Sequence, residues 1–422
     1  MTNLVEFHLA NGLLVLLKPI HTSPVATFWI WYRVGSRNEV PGCTGVSHWV
    51  EHMLFKGTPT FHKGEIFRLV NRNGGVNNAL TFTDFTNYHE TLPCDRIDLA
   101  LQIESDRMVN ALFDPAEVAS ERTVIISERE GAENDPRFWL DEAVQAETFK
   151  VHPYHHETFG WKNDLQAITR DDLFRHYKKY YAPNNAVVVV AGDFDSVELR
   201  TKIESMFGMI PRKETIPSVL CVEPTQTSER RVTVQRPAPT SYFQTNYHGP
   251  STSTPDFFPV LVLKSALSGV SLMSYDGKGA VSKSSRLYRA LVETELASDV
   301  NCGFRMTLDP GTIEVTATAR RDVDMARIER TIFDELKKIQ CELITDEEFD
   351  QIVKQTEAQF VYANDGISNW GYWLGILEMV ASHKMSESFL DKVRCVTKAD
   401  VMRVAAQYLA ETNRTVGWLV PK

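Results

Sequence analysis

Two histidines four residues apart, His48 and His52, enclose Glu51 in the run Ser47-His-Trp-Val-Glu-His-Met53. On a helix advancing about 100° per residue, His48, Glu51 and His52 share one side, with Phe55 among them. Val46, Trp49, Val50, Met53 and Leu54 gather on the opposite side as a core-facing stripe. Imidazoles at i and i+4 can offer nitrogens to one metal ion, and a glutamate at i+3 shares their face. Gly57 supplies a natural stop. The alternative is a surface face that carries two histidines and an acid by chance.

A catalytic zinc site of this kind needs a third protein ligand. Asp114-Pro115-Ala116-Glu117 opens a helix well: an acid that can cap, a proline suited to the first turn, and a glutamate at capping-box spacing. Gly131 is the expected close. On that helix Glu121 and Glu128 lie seven apart and fall between Val124 and Ile125. Their carboxylates are therefore expected to face the interior, where they need a cation or a proton. Arg122 and Arg129, adjacent in sequence, leave open an ordinary salt-bridged helix.

The elements that must hold these groups read as a mixed chain. Leu13 to Leu17 and Ala26 to Val34 read as strands, and helical periodicity follows to about residue 182. It is broken by Gly74-Gly75 and a strand-like Asn78 to Tyr88; an apolar strand, Ala186 to Ala191, ends at Gly192-Asp193. Prolines 211, 217 and 224 among Thr, Ser and Glu mark an extended linker. Asp172, Arg175, Tyr180, Ala182 and Asn185 recur as Asp400, Arg403, Tyr408, Ala410 and Asn413, all at an offset of 228. Duplication explains this better than coincidence. The expected architecture is α+β, in two homologous halves, each a mostly antiparallel sheet covered on one face by helices. The expected boundaries are 1–212 for the half bearing the metal motif, 213–230 for the linker and 231–422 for the other half.

His48-x-x-Glu51-His52 has the spacing of the inverted zinc-peptidase motif. With Glu121-Arg-Thr-Val-Ile-Ile-Ser-Glu128 downstream, the chain resembles the pitrilysin and mitochondrial-processing-peptidase family. Asn78 to Tyr88 resembles that family's substrate-holding edge strand. His152-Pro-Tyr154, Gly160, Tyr181-Ala-Pro-Asn184 and Ser285-Arg-Leu-Tyr288 extend the likeness over nearly the whole chain. The resemblance implies a zinc metalloendopeptidase with His48, His52 and Glu128 as ligands, Glu51 as general base and Glu121 as a supporting acid. It also implies substrate contacts at Asn78 and Ala79, and hydrolysis of peptides or unfolded segments inside a clamshell chamber.

Self-sufficient members of that family carry an Arg and a Tyr in the second half, where this chain has Leu291 and Ser298. The resemblance therefore implies the zinc-bearing subunit of a heterodimer with a homologous Arg/Tyr-bearing chain, in preference to a homodimer. Arg286 and Tyr288 match a different family position. Gly269 to Lys283, with three glycines, resembles a substrate-touching loop of the non-catalytic subunit or is a plain surface loop. The cluster His152-Pro-Tyr-His155-His156 lacks an acidic or Cys partner at fixed spacing and reads as a structural turn. The alternative function is a non-catalytic scaffold, like the core subunits of the respiratory bc complex.

Composition bounds these readings. The 422 residues are 43% hydrophobic and 24% charged, which excludes a disordered chain and suggests more than one domain. Forty-five Lys and Arg against 55 Asp and Glu give a net charge of −10, against a nucleic-acid partner. No run of apolar residues is long enough to span a membrane, and no secretory signal opens the chain. Six scattered cysteines without framework spacing fit reduced thiols and a cytoplasmic location. From Glu117 to Glu147 nine acids face only Arg122, Arg129 and Arg137, either a solvated surface or a bias toward cationic peptides.

Overall fold

The computed structural model describes residues 4–271 and 282–422. Most of the glycine-rich stretch from Gly269 to Lys283 therefore lies outside the described residues. Strands β1 (Val5–His8), β2 (Leu14–Pro19), β3 (Val25–Tyr32), β4 (Val76–Thr81), β5 (Thr86–Pro93) and β6 (Ala186–Gly192) form one sheet. Their order is β1-β2-β6-β3-β5-β4, antiparallel except between β2 and β6. All seven residues of β6 are buried, as the unbroken Ala-Val-Val-Val-Val-Ala run requires of a central strand. The single strand expected over Asn78 to Tyr88 is instead a hairpin, because Phe82 N–H bonds the Phe85 carbonyl and turns the chain.

A second sheet has the order β7-β11-β8-β10-β9, from β7 (Arg230–Arg236), β8 (Tyr242–His248), β9 (Ala297–Phe304), β10 (Thr312–Ala319) and β11 (Arg414–Pro421). Its one parallel pair, β7 with β11, is the counterpart of β2 with β6. The duplication extends to single hydrogen bonds. Thr169 and Asp172 form a capping box, and so do Thr397 and Asp400. The Asn185 amide donates to the Tyr180 carbonyl at 2.8 Å; the Asn413 amide donates to the Tyr408 carbonyl at 2.7 Å. The repeated residues thus include those that cap the helices Arg170–Tyr180 and Lys398–Tyr408 and turn each into the strand that follows it, β6 and β11. The fold is α+β in two homologous halves.

The chain divides into two compact units that are not contiguous in sequence. The first holds the residues up to Glu130, then His156–Leu220 and Asn364–His383; the second holds Gly131–His155, Cys221–Ala363 and Lys384–Lys422. In the first, β3 sends Phe28, Ile30 and Tyr32 into the main core, while Trp29 and Trp31 point to the other face. That other face is covered by the helix Ile367–Val380. Gly371 and Gly375 make the fit possible, since a Cβ at either would lie 2.3 Å or less from the indole of Trp29 or Trp31. In the second unit, the helix Pro136–Thr148 covers the corresponding face of its sheet. Each sheet thus takes one covering helix from the far half of the sequence, in addition to its expected helical layer.

A charge cluster fastens the covering helix of the first unit. Arg33 reaches the Glu378 carboxylate at 2.9 Å, and His383 lies 2.7 Å from Glu378 and 3.3 Å from Glu6. Burial lowers the His383 imidazole, but the Glu378 hydrogen bond and the Glu378 and Glu6 charges outweigh it, and the net shift is upward. A histidine whose folded pKa exceeds its unfolded value of about 6.5 gives its full stabilisation below that value. The contribution fades as pH rises through the folded pKa. His383→Gln should therefore lower the melting temperature more at pH 6 than at pH 9. Equal losses at both would count against a charged contact.

Candidate metal centre

The motif lies on the helix Val46–Met53, where Val46, Trp49, Val50 and Met53 are buried. Burying this stripe against the core turns His48, Glu51 and His52 toward the helix Pro115–Ala132. That second helix is capped by Asp114, whose carboxylate accepts from Ala116 and Glu117 N–H, and it ends one residue beyond Gly131. Ile125 sinks into the core and brings Glu121 in with it. Glu128 is different. Its side chain is 42% exposed, because it stands at the open side of the histidine pair instead of facing the interior.

The neighbouring arginines reach backbone carbonyls outside their helix. Arg122 donates to the carbonyls of Leu165, Gln166 and Ile168 and stacks over Trp49, and Arg129 donates to the Gly160 carbonyl. They tie the helix to its surroundings and leave Glu121 and Glu128 to the histidines.

His48 Nε2 and His52 Nε2 lie 3.7 and 3.5 Å from the same Glu128 oxygen. Those separations exceed hydrogen-bond length. They match the roughly 3.4 Å expected between ligand atoms of a tetrahedral ion with zinc's bond lengths. The nitrogen, nitrogen and oxygen donors all fall within 4.8 Å of one another, the one such group found among the described residues. The donor set therefore fits zinc. Burial, then the neighbouring His52, pushes the His48 imidazole down to about 3, so it is neutral and its lone pair is available.

His52 is oriented from behind, its Nδ1 being 2.9 Å from Glu121. Burial lowers this imidazole, yet the Glu121 bond and the Glu128 and Glu51 charges outweigh it and raise the value. Glu121 is also ion-paired with Lys56, so the buried carboxylate has a cation of its own. Burial raises the Glu121 value, but its bonds to His52 and Lys56 bring it below the ordinary range. A carboxylate behind a ligand histidine fixes the tautomer that turns Nε2 toward the metal.

Glu51 is 8% exposed and accepts a 2.5 Å hydrogen bond from Thr81 Oγ1. Burial raises its carboxyl above the usual range, against the pull of Thr81 and His52. Thr81 ends β4, which among the described residues is the outermost strand of its sheet and pairs only with β5. Asn78 and Ala79 lie on that strand, and the Asn78 side chain accepts from the Ala79 N–H at 2.9 Å. The structure thus brings His48, Glu51, His52, Glu121 and Glu128 together, with Asn78 and Ala79 on the adjoining strand edge. The sequence reading gave no site role to Thr81 or Lys56. Lys56 stands four residues after His52 but beyond the helix end at Met53, so no helical face in the sequence pointed to it.

Elsewhere, Leu291 is fully buried and Ser298 is exposed with its hydroxyl on the Thr318 carbonyl. Arg286 is bound through two nitrogens to Glu348. His152 bonds Asp309, and His155 turns back to the His152 carbonyl.

Residues 14–161 match the family described as Insulinase (Peptidase family M16), and residues 167–356 match the Peptidase M16 inactive domain. The chain belongs to peptidase family M16. It is 27% identical to the zinc protease PqqE of Helicobacter pylori (strain ATCC 700392 / 26695) over 423 residues, covering 98% of this chain and 92% of that one. It is 27% identical to the mitochondrial-processing peptidase subunit beta of Blastocladiella emersonii over 414 residues, 97% and 86% of the two chains. A crystal structure of a protease from Helicobacter pylori superposes with a TM-score of 0.94 at 26% identity, over 100% of both chains.

Proposed function

We propose that the protein is a zinc metalloendopeptidase that hydrolyses peptides or unfolded segments. The observation that carries this is the pair of histidine nitrogens converging on one Glu128 oxygen at zinc-ligand spacing. His48, His52 and Glu128 would hold the ion, which when bound would supply Lewis acidity. Glu51, fixed by Thr81, takes a proton from the attacking water and returns it to the leaving amine. Glu121 and Lys56 orient His52. Asn78 and Ala79 present a free strand edge on which an extended peptide adds as a further strand, held by backbone bonds. The duplicated halves are taken to run over 1–212 and 231–422 around a linker at 213–230, and the protein to act in the cytoplasm in a clamshell chamber that the chain closes with a partner subunit.

The buried Leu291 and the committed Arg286 support a requirement for a homologous subunit that contributes an Arg and a Tyr. A scaffold role without catalysis is the second reading, favoured by the match of residues 167–356 to a family part described as inactive. Purification from the native source discriminates between them. The expected result is a co-purifying relative and cleavage of an unstructured peptide that is lost on chelation and restored by zinc. No cleavage by the zinc-loaded native complex would favour the scaffold.

A further inference from the structure

The helix that carries the motif has no cap of its own. It begins at Gly45, a left-handed residue (φ 85°) with no side chain to satisfy the first N–H groups. Those groups are met from a distance: both oxygens of Glu39 accept backbone bonds, from Gly45 N–H at 2.7 Å and Ser47 N–H at 2.8 Å. The Glu39 side chain is wholly inaccessible to solvent. Burial pushes its carboxyl up to about 8 against the pull of the two N–H donors.

Other groups close the collar. The Ser47 hydroxyl bonds the Gly35 carbonyl at 3.0 Å and His176 Nε2 at 3.1 Å. Thr44 N–H and hydroxyl both reach Asp164. A Cβ on Gly45 would lie 2.5 Å from the Phe159 carbonyl oxygen, and the Phe159 ring meets His48 edge-on at 5.5 Å. His48 follows Ser47 directly, so any axial slip or rotation at this end moves its Nε2 away from Glu128.

We infer that Glu39 is a positioning residue for the metal centre, holding the motif helix at the rotation and depth that aim His48 and His52 at Glu128. The inference rests on the zinc reading proposed above. Groups that orient metal ligands from behind typically matter 10–100-fold in metal affinity. Glu39→Gln keeps the size but sets an amide NH2 against one backbone N–H. Its zinc affinity, measured by chelator competition on folded protein, should fall about tenfold or more. The visible spectrum of the cobalt-substituted protein should change with it, because the ligand geometry changes. Glu39→Asp, which keeps two acceptor oxygens on a shorter stem, should recover part of the affinity.

A purely structural role would lower the melting temperature and leave affinity and spectrum as in the wild type; that result overturns the inference. Should Glu39→Gln not fold, Glu39→Ala, which removes both acceptor oxygens, carries the same comparison, and wild-type affinity and spectrum in that variant overturn it equally. Absence of zinc binding in the wild-type protein would overturn the zinc reading as well. Normal wild-type binding with an unaffected Glu39→Gln would overturn only the role of Glu39.

Discussion

Glu51→Gln is expected to leave the fold and the metal in place and to reduce peptide hydrolysis by roughly 10²–10⁴-fold, the usual worth of a positioned general base. The substitution is nearly isosteric. A glutamine oxygen still accepts the Thr81 hydroxyl, so the hydrogen bond that fixes this side chain survives. What is lost is the ability to take and return a proton. Burial raises the Glu51 carboxyl above the ordinary glutamate range, which brings its proton affinity closer to that of a base working near neutral pH. Because a base acts in its deprotonated form, activity should rise with pH through that raised value. The check is peptide cleavage together with zinc content of the same preparation. Cleavage above a tenth of the wild-type rate at full zinc loading would remove Glu51 from its assigned role.

Arg107→Ala is expected to cost about 3–5 kcal/mol, the range for breaking a buried ion pair on one side. Arg107, Glu104 and Glu90 all have fully buried side chains. The guanidinium is ion-paired with Glu104 and lies 3.3 Å from Glu90. It also sits 4.2 Å above the Tyr88 ring and 4.9 Å from that of Phe55. One cation cannot neutralise two carboxylates. Burial, then the Glu104 charge, raises the Glu90 carboxyl well above the usual range. Removing Arg107 strands Glu104 in the core with no cation, next to the segment that follows His52. Stability is a small difference of large terms, so this loss is a large part of the typical 5–15 kcal/mol. Urea unfolding of the variant should show its first transition at much lower denaturant. A shift equivalent to less than about 1 kcal/mol would be incompatible with an essential buried charge. Arg107→Met combined with Glu104→Gln should recover much of the loss, since neither partner is then left charged.

How far such features can be read from sequence depends on how local their cause is. His48, Glu51 and His52 share a face because a helix repeats every 3.6 residues, so three positions within one turn reveal them. Glu121 stands seven residues from Glu128, and helical period again sets the pair. Its flanking apolar residues marked Glu121 as interior but misplaced Glu128, since a wheel gives direction and not depth. The repeat at an offset of 228 was legible because Asp172 and Asp400, like Asn185 and Asn413, make the same short-range bonds. Thr81, Glu39 and Arg107 were not legible. Each acts on a group brought near only by tertiary packing, and a lone Thr, Glu or Arg carries no periodic signal. The covering helix Ile367–Val380 was hidden for a related reason. Its glycines at 371 and 375 look like weak points in a helix until the indoles of Trp29 and Trp31 are seen against them.

The central claim is that His48, His52 and Glu128 hold a catalytic zinc ion, and metal stoichiometry tests it most directly. Purified protein, dialysed against buffer with a trace of zinc, should carry about one ion per chain; His52→Ala and Glu128→Gln should carry almost none. Wild-type protein without zinc, or variants that retain a full equivalent, would contradict the account.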